Sequence, residues 1–455
     1  MINRKEHIHF IGIGGVGMFP MAEVLHRTGY KVSGSDAQQS SATEQLQKWG
    51  IAVQIGHEPN LVAQADIVVY SSAVPSTNPE MVAAYAQGSV VMKRAVMLGD
   101  LMRKAFSIGV AGTHGKTTTT SLIAKVLEKA DKNPTVVVGG VFSGADTVSG
   151  AMVGDGSLLV CEADEYDRSF LKMYPSVAVI TNIEEDHLDI YKDLDAIREA
   201  FYEYANRVPF YGTVVGCIDH EEVKTLCESI QKPVTTYGYH RDADYRIEPQ
   251  TISNGYTTSL VYEYGELLGK MVLPLLGNHN QLNALAAVAI ARSMDISFET
   301  IAEGLYEFPG VKRRMEIMGA SKGITVIDDY AHHPTEVKAT IEAVSHGGFD
   351  HVTVVFQPHL YSRTQECATG FAEALSDSAI DTAYVLPIYK AREEPIEGVD
   401  YTLISRQGSE SVIAVNSFEE VIKKIAESKR ANSVVLVMGA GDVWKVGHRI
   451  LEVLA

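Results

Sequence analysis

Basic residues are scarce in this chain: 39 Lys and Arg stand against 57 Asp and Glu in 455 residues, a formal net charge of −18. A nucleic-acid partner calls for basic patches, so that class is excluded. An anionic substrate must instead be met by local Arg, Lys or glycine-loop sites. Cysteine is scarce too. Cys161, Cys217, Cys227 and Cys367 are the four, none in C-x-x-C spacing. A chain of this length does not depend on disulfides, and free thiols in a reducing compartment are expected. No apolar run reaches the roughly 18 residues that mark a membrane-span candidate. MINRKEHIHF lacks an apolar segment ahead of the first strand pattern, so no signal peptide is expected. There is no internal repeat, low-complexity tract or long Pro/Ser linker. A cytoplasmic protein without membrane insertion, its domains joined by short connections, is the expectation.

What is present is ordinary globular material, 46% apolar and 21% charged, long enough for about two to four domains. The first hundred residues alternate strand and helix signals. IHFIGI, YKVSGSD and ADIVVYSSA read as strands, and MFPMAEVLHRTG and SATEQLQKWG as helices, the latter with Ser41 or Thr43 as candidate cap. Such alternation means an α/β fold with a parallel sheet. A second unit opens at FSIGVAGTHGKTTTTSLIAKVLEKA, again strand, glycine turn and helix. Residues 235–275 alternate Tyr, Thr and Val around NGY and YGE turns, as hairpins do. LGNHNQLNALAAVAIARSM reads as a helix. A third unit starts near residue 313, with four strand-then-loop segments: GITVIDDYAHHP, HVTVVFQPHLYSRT, TAYVLPIYKA and SVVLVMGAGD. In each, the unusual polar residues follow the strand, where open parallel sheets bind ligands.

GIGGVG places Gly12, Gly14 and Gly17 in G-x-G-x-x-G spacing. With 38 glycines in the chain, about 0.3 such matches arise by chance, so context must carry the motif. A strand precedes it, a helix follows, and Asp36 ends the next strand. That context supports a nucleotide diphosphate at a helix N-terminus and does not specify nicotinamide. GTHGKTTT is a variant P-loop: Gly112 lies three residues before Gly115, and Val110 stands where the strict pattern has glycine. Backbone amides there cradle phosphates, Lys116 meets β/γ oxygens, and the Thr117 hydroxyl suits magnesium.

Acidic loops end two later strands. CEADEYD carries Glu162, Asp164, Glu165 and Asp167. TNIEEDHLD carries Asn182, Asp186, His187 and Asp189. Carboxylates beside a P-loop point to Mg²⁺, which takes oxygen ligands and substrate phosphates; a His can add a nitrogen ligand. For any single carboxylate the plainer alternative is a solvated loop residue or a helix cap. In the third unit Arg313, Arg314, Asp328, Asp329, His332, His333, His359 and Arg363 cluster near strand ends. Arg suits phosphate clamping. Pro334 and the lone flanking Asp make a zinc site from the His pair unpersuasive, and loop hydrogen bonding is the alternative for both His.

Taken together, GIGGVGM, GTHGKTTTT, EADEYDRSFL, TNIEEDHLDIY, GNHNQLNA, GVKRRME, DDYAHHPTE and FQPHLYSRT resemble the Mur ligases of bacterial cell-wall synthesis. The match spans nearly the whole chain in order. It is closest to the member that joins L-alanine to UDP-N-acetylmuramate, on the evidence of EADEYDRSFL, DDYAHHPTEV and FQPHLYSRT. The resemblance implies three α/β domains: a Rossmann-like UDP-sugar domain at 1–106, a P-loop ATP domain with a mainly parallel sheet at 107–312, and a Rossmann-like amino-acid domain at 313–455. It implies ATP and Mg²⁺, and attack of the lactyl carboxylate on the γ-phosphate to give an acyl phosphate. The alanine amine then takes the carbonyl and phosphate leaves.

The same resemblance implies site residues. Gly12, Gly14, Gly15, Gly17, Asp36, Ser71 and Ser72 fall to the UDP-sugar. Gly112, Thr113, His114, Gly115, Lys116, Thr117 and Thr118 fall to ATP, with Asn280 and Asn283 at adenine and Arg314, Asp328 and Asp329 closing from the third domain. Thr117, Glu162 and His187 fall to metal, and His332, His359 and Arg363 to alanine; Lys116, His187, Arg314 and His332 form the catalytic set. Many members have Arg where this chain has Leu360, which leaves Arg363 as the remaining carboxylate partner. Because Arg314 and the P-loop belong to different domains, closure on ATP is expected. Monomer and homodimer both stay open. A tripeptide-recycling ligase shares the logic of the first two domains. A nicotinamide dehydrogenase leaves the P-loop without a task, and a non-catalytic nucleotide-binding regulator leaves the phosphate and metal residues without one.

Overall fold

Five short apolar runs near the N-terminus become a parallel sheet: β1 (His7–Ile11), β2 (Lys31–Asp36), β3 (Ala52–Ile55), β4 (Ile67–Tyr70) and β5 (Val90–Lys93). Their order is β3-β2-β1-β4-β5, with each neighbouring pair parallel. The order reverses between β1 and β4, so the loops leaving these strands diverge and open a crevice at their carboxyl ends. The glycine loop follows β1, and Ser71 and Ser72 follow β4. Ile8, Phe10 and Ile11 of β1 are buried, which sets its register. The helices are α1 (Phe19–Arg27), α2 (Ser41–Lys48), α3 (Pro79–Gln87) and α4 (Arg94–Met102). The N-cap of α2 is Ser40, one residue before Ser41. Its hydroxyl accepts from Thr43 N–H while the Thr43 hydroxyl accepts from Ser40 N–H, a reciprocal capping box.

This is a computed structural model; it describes residues 6–143, 149–186, 190–253, 255–391, 393–428 and 431–455. By compactness the chain divides into two units. One holds Met1–Glu248, Leu260–Met271 and Leu282–Phe308; the other holds Pro249–Ser259, Val272–Gln281 and Pro309–Ala455.

The second sheet has ten strands: β6 (Phe106–Ala111), β7 (Thr135–Val137), β8 (Ala151–Met152), β9 (Leu158–Glu162), β10 (Val177–Ile180), β11 (Thr213–Cys217), β12 (Val234–Gly238), β13 (Tyr245–Ser253), β14 (Tyr256–Glu263) and β15 (Glu266–Leu273). Their order is β15-β14-β13-β12-β11-β10-β6-β9-β7-β8. Around the P-loop strand the pairing is parallel, β6 lying between β9 and β10. Three carboxyl ends therefore stand side by side, and the loops leaving them meet: the P-loop, EADEYD and TNIEED. Helix α5 (Lys116–Lys129) follows the P-loop and is buried from Thr117 through Ala124. The hairpin turn between β14 and β15 has Tyr264 at φ 48° and Gly265 at φ 84°, the pair of positive φ values that tight hairpins need. Helix α4 packs on the segment Tyr166–Lys172, and Met97, Leu98 and Met102 share a core with Phe170, Met173 and Tyr204.

The third sheet belongs to the other unit: β16 (Glu316–Ser321), β17 (Ile324–Asp329), β18 (His351–Phe356), β19 (Thr382–Val385), β20 (Val412–Ala414) and β21 (Ser433–Met438), ordered β16-β17-β21-β18-β19-β20. Only β16 runs antiparallel to its neighbour. β21 is buried along its whole length, as a central parallel strand should be. Among the described residues, no helix is long and apolar enough to cross a membrane.

Candidate active site

The glycine loop is held by the strand beside it. The N–H groups of Gly12 and Ile13 both donate to the Ser35 carbonyl, at 2.8 and 3.0 Å. Gly14 N–H donates to Asp36 Oδ2 at 2.9 Å, so Asp36 closes the loop. Gly12 has φ 81°, a left-handed turn that favours glycine. Ser71 lies beside it, its Cβ 3.8 Å from where a Gly12 Cβ would stand; Ser72 is exposed. Gly15 O accepts from Met18 and Phe19 N–H, starting α1.

Behind this loop is a network that periodicity does not reveal. Glu80, buried on α3, accepts from His9 at 2.7 Å, His57 at 2.7 Å and the Ser35 hydroxyl at 3.0 Å. Burial pushes its carboxyl up, but these hydrogen bonds outweigh that and hold it below the usual carboxylate value. The residue that clamps the glycine loop through its carbonyl is thus itself held through its hydroxyl.

In the P-loop, Gly112 has φ 141°, and a Cβ there would collide with the Thr181 hydroxyl. Thr181 and Asn182 fasten the loop: Thr181 Oγ1 donates to His114 O at 2.6 Å, and Asn182 Oδ1 accepts His114 N–H at 2.8 Å. Thr113 Oγ1 accepts Glu184 N–H at 2.9 Å. His114 Nε2 lies 3.6 Å from Glu184. Thr117 and Thr118 are buried in the first turn of α5. Asn283 lies against the loop, with its Oδ1 accepting Thr119 Oγ1 at 3.0 Å and facing Gly115.

Lys116 points back into the protein. Its ammonium donates to Gly112 O at 2.6 Å, to Thr113 O at 3.2 Å, and to both Glu165 oxygens at 2.9 Å. Burial works against this charge, yet Glu165, Asp164 and Glu162 outweigh it and hold the lysine above its usual value. Glu165 is itself buried, and its carbonyl accepts from the Tyr191 hydroxyl at 2.7 Å. Two residues on, Asp167 and Arg168 sit at φ 55° and 52°, left-handed turns in residues other than glycine, such as cluster at functional sites. The same loop reaches α4 and the strand before it: Asp167 pairs with Lys93 at 2.6 Å, and Asp164 with Arg94 at 3.9 Å.

Glu162 ends β9, next to the P-loop strand, and Oε1 accepts Gly139 N–H at 3.0 Å. With the Thr117 hydroxyl it offers the oxygen donors that Mg²⁺ prefers. His187 and Asp189 lie outside the described residues.

In the second unit, Asp329 is an organiser. Its oxygens accept Met315 N–H at 2.7 Å and Ala331 N–H at 2.9 Å, which fixes the turn carrying Arg314. Arg313 and Met315 flank Arg314 at φ 61° and 50°. Both guanidinium groups lie over the Tyr330 ring, at 4.9 and 5.1 Å. Asp328 is different. It is 1% exposed, its Oδ2 is 3.4 Å from Arg313 Nε, and Oδ1 has no hydrogen-bond partner among the described residues. Burial, with Asp329 and Glu316 adding to it against Arg313, pushes its carboxyl up to about 7.

His332 Nδ1 is 3.1 Å from both Tyr330 O and Glu336 Oε2. Burial chiefly, helped by the Arg363 and Arg314 charges against Glu336, lowers it to about 4, so the imidazole is neutral at pH 7. Its ring centroid is 6.2 Å from that of His359, which stacks on Tyr389 at 5.7 Å. His332, His359 and Arg363 are therefore gathered. His333 instead caps the helix Pro334–Ser345. Leu360 is buried at φ 73°. Asn280 is buried and donates to Leu276 O at 2.8 Å.

Comparison with known proteins covers the chain in three pieces. Residues 7–106 match the family described as Mur ligase family, catalytic domain; residues 110–291 match Mur ligase middle domain; residues 313–441 match Mur ligase, glutamate ligase domain. A UDP-N-acetylmuramate--L-alanine ligase of Geobacter sp. (strain M21) is 44% identical over 99% of this chain and 98% of its own. One from Salinibacter ruber is 45% identical over 100% and 96%. Among solved structures, UDP-N-acetylmuramate-alanine ligase MurC of Thermotoga maritima superposes with TM-score 0.82 at 30% identity, covering 98% of each chain. A murein peptide ligase of Psychrobacter arcticus, 24% identical with TM-score 0.70 over 99% and 98%, shares the fold.

Proposed function

The chain belongs to the Mur ligase family, and we propose that it joins L-alanine to the lactyl carboxylate of UDP-N-acetylmuramate at the expense of ATP, in the cytoplasmic stage of peptidoglycan precursor synthesis. The observation that carries this is end-to-end similarity, at 44–45% identity, to ligases of that name. The site chemistry agrees with it. We take 1–106 as the UDP-sugar domain, 107–312 as the ATP domain and 313–455 as the amino-acid domain.

The physical problem is to bring a carboxylate onto a γ-phosphate when both are anions. Positive charge must be waiting where negative charge builds. Lys116 provides it: on nucleotide binding its ammonium exchanges Glu165 for phosphate oxygens. Gly112–Thr118 supply amides and hydroxyls to the phosphates, and Asn280 and Asn283 meet adenine. Thr117, Glu162 and His187 would hold Mg²⁺, whose charge would offset that of the phosphate oxygens. Gly12, Gly14, Gly15, Gly17, Asp36, Ser71 and Ser72 form the UDP-sugar cradle, with Asp36 keeping the loop shut.

Arg314 contacts ATP from the third domain. Of the two aspartates, Asp328 keeps an oxygen for a ligand, and Asp329 is spent on the turn that aims Arg314. His332, neutral at working pH, accepts or donates a hydrogen bond without adding charge beside the alanine amine, and Arg363 and His359 meet the alanine carboxylate. The lactyl carboxylate takes the γ-phosphoryl group as ADP leaves; the alanine amine then adds to the acyl-phosphate carbonyl and gives up its proton, and phosphate departs. Mass spectrometry of the nucleotide product tests this: a UDP-sugar heavier by one alanyl residue is expected, formed only when ATP, UDP-N-acetylmuramate and L-alanine are all present. An unaltered sugar nucleotide overturns it.

A further inference from the structure

Arg94 has no task in the site as described, and its surroundings give it one. It opens α4 directly after β5, and its guanidinium makes no hydrogen bond among the described residues. Its ion-pair partner, Asp164, is 3.9 Å away, and the arginine side chain is 24% exposed. The guanidinium is pressed against the glycine loop: a Cβ on Gly17 would stand 3.0 Å from Cζ and Nη1 and 3.1 Å from Nε. Glycine at that place makes room for the arginine. The backbone N–H groups of Val16 and Gly17, at the turn into α1, also make no hydrogen bond among the described residues. Nε and Nη1 of the guanidinium and two backbone donors thus lie at the entrance of α1, where the helix dipole favours an anion, while Nη2 is the atom nearest Asp164.

We propose that Arg94 is a ligand of the UDP-sugar diphosphate, closing over the Gly17 end of the loop, with Asp164 standing in for that anion until the nucleotide arrives. This rests on the glycine loop being the UDP-sugar cradle. It also gives the acidic loop a second role, because Asp164 precedes the residue that holds Lys116. Diphosphate binding releases Asp164 from Arg94 next to the point where ATP must release Glu165 from Lys116.

The test is calorimetric titration of the full chain with UDP, UMP and uridine, without ATP. Arg94→Ala weakens UDP about 10- to 100-fold, the worth of charge-assisted hydrogen bonds, and leaves uridine unchanged. Arg94→Lys recovers part of the loss, and Asp164→Asn binds UDP more tightly than the parent chain. Equal weakening of UDP and uridine means a structural role and overturns the assignment, as does unchanged UDP affinity. So does unchanged UDP affinity with weakened UDP-N-acetylmuramate, which puts Arg94 on the lactyl carboxylate. If the unaltered chain binds no UDP, the cradle itself is misassigned and Arg94 falls with it; that outcome is distinct from all the others.

Discussion

Removing the Glu165 carboxylate tests how the P-loop lysine is held before ATP arrives. Lys116 and Glu165 are 15% and 4% exposed, with the ammonium 2.9 Å from each carboxylate oxygen. Glu165→Ala leaves a buried ammonium hydrogen-bonded, among the described residues, only to the Gly112 and Thr113 carbonyls. Breaking a buried pair by deleting one partner costs about 3 kcal/mol or more. A folding unit of this size loses about 2 °C of Tm per kcal/mol, so a fall of about 6 °C is expected. Nucleotide phosphates replace the lost carboxylate. With a saturating non-hydrolysable ATP analogue and magnesium, the Tm gap between variant and parent should therefore close to about 2 °C. Differential scanning fluorimetry with and without the analogue reads both numbers. Glu165→Gln, which keeps the shape and removes the charge, should behave in the same way with a smaller fall. A gap unchanged by nucleotide means that Lys116 stays on Glu165 in the ATP complex, and the proposed exchange of partners is refuted.

Three further outcomes follow from burial and charge. Asp328 titrates near 7 when folded and near 3.9 when unfolded, so the folded state holds its proton more tightly. Its stability contribution is full below about pH 4 and is lost as pH rises through about 7. Asp328→Asn should therefore be more stable than the parent at pH 8, by at most about 4 kcal/mol, and the advantage should vanish near pH 4; denaturant melts across pH check this. His332, lowered to about 4, should show no imidazole titration between about pH 6 and 8 in NMR, where an ordinary His titrates near 6.5. Glu80→Ala strips three hydrogen-bond donors of their acceptor. It should destabilise the chain by about 3 kcal/mol and raise the KM for UDP-N-acetylmuramate more than that for ATP, because Ser35 holds the Gly12 loop; equal effects on the two KM values would contradict that link.

The parts of the site that could be read in the chain are those where backbone geometry restricts residue type. Gly12 and Gly112 mark turns because positive φ, and at Gly112 a crowded approach, admit little else, and Lys116 and Thr117 follow from the helix start. The four strand-then-loop segments of the third sheet were legible because long apolar runs ended in charged loops. β16 and β20 were not: the first is half-exposed and carries an irregular register at Gly319, and the second has three residues. Side-chain pairing was illegible for a different reason. Which acid of EADEYD meets Lys116 depends on how the loop turns after β9, which no spacing predicts. The Glu80 network joins residues 71 positions apart, and Asp36, read from the sequence as a UDP-sugar residue, also braces the loop. His332 and His333 look alike in sequence; only packing separates a buried imidazole from a helix cap.

The central claim is tested most directly by the rate of phosphate release with ATP and UDP-N-acetylmuramate fixed and the amine substrate varied. L-alanine should give the highest kcat/KM, with glycine and L-serine below it and the L-alanyl-γ-D-glutamyl-diaminopimelate tripeptide inactive. Release driven by the tripeptide and not by L-alanine would contradict the account.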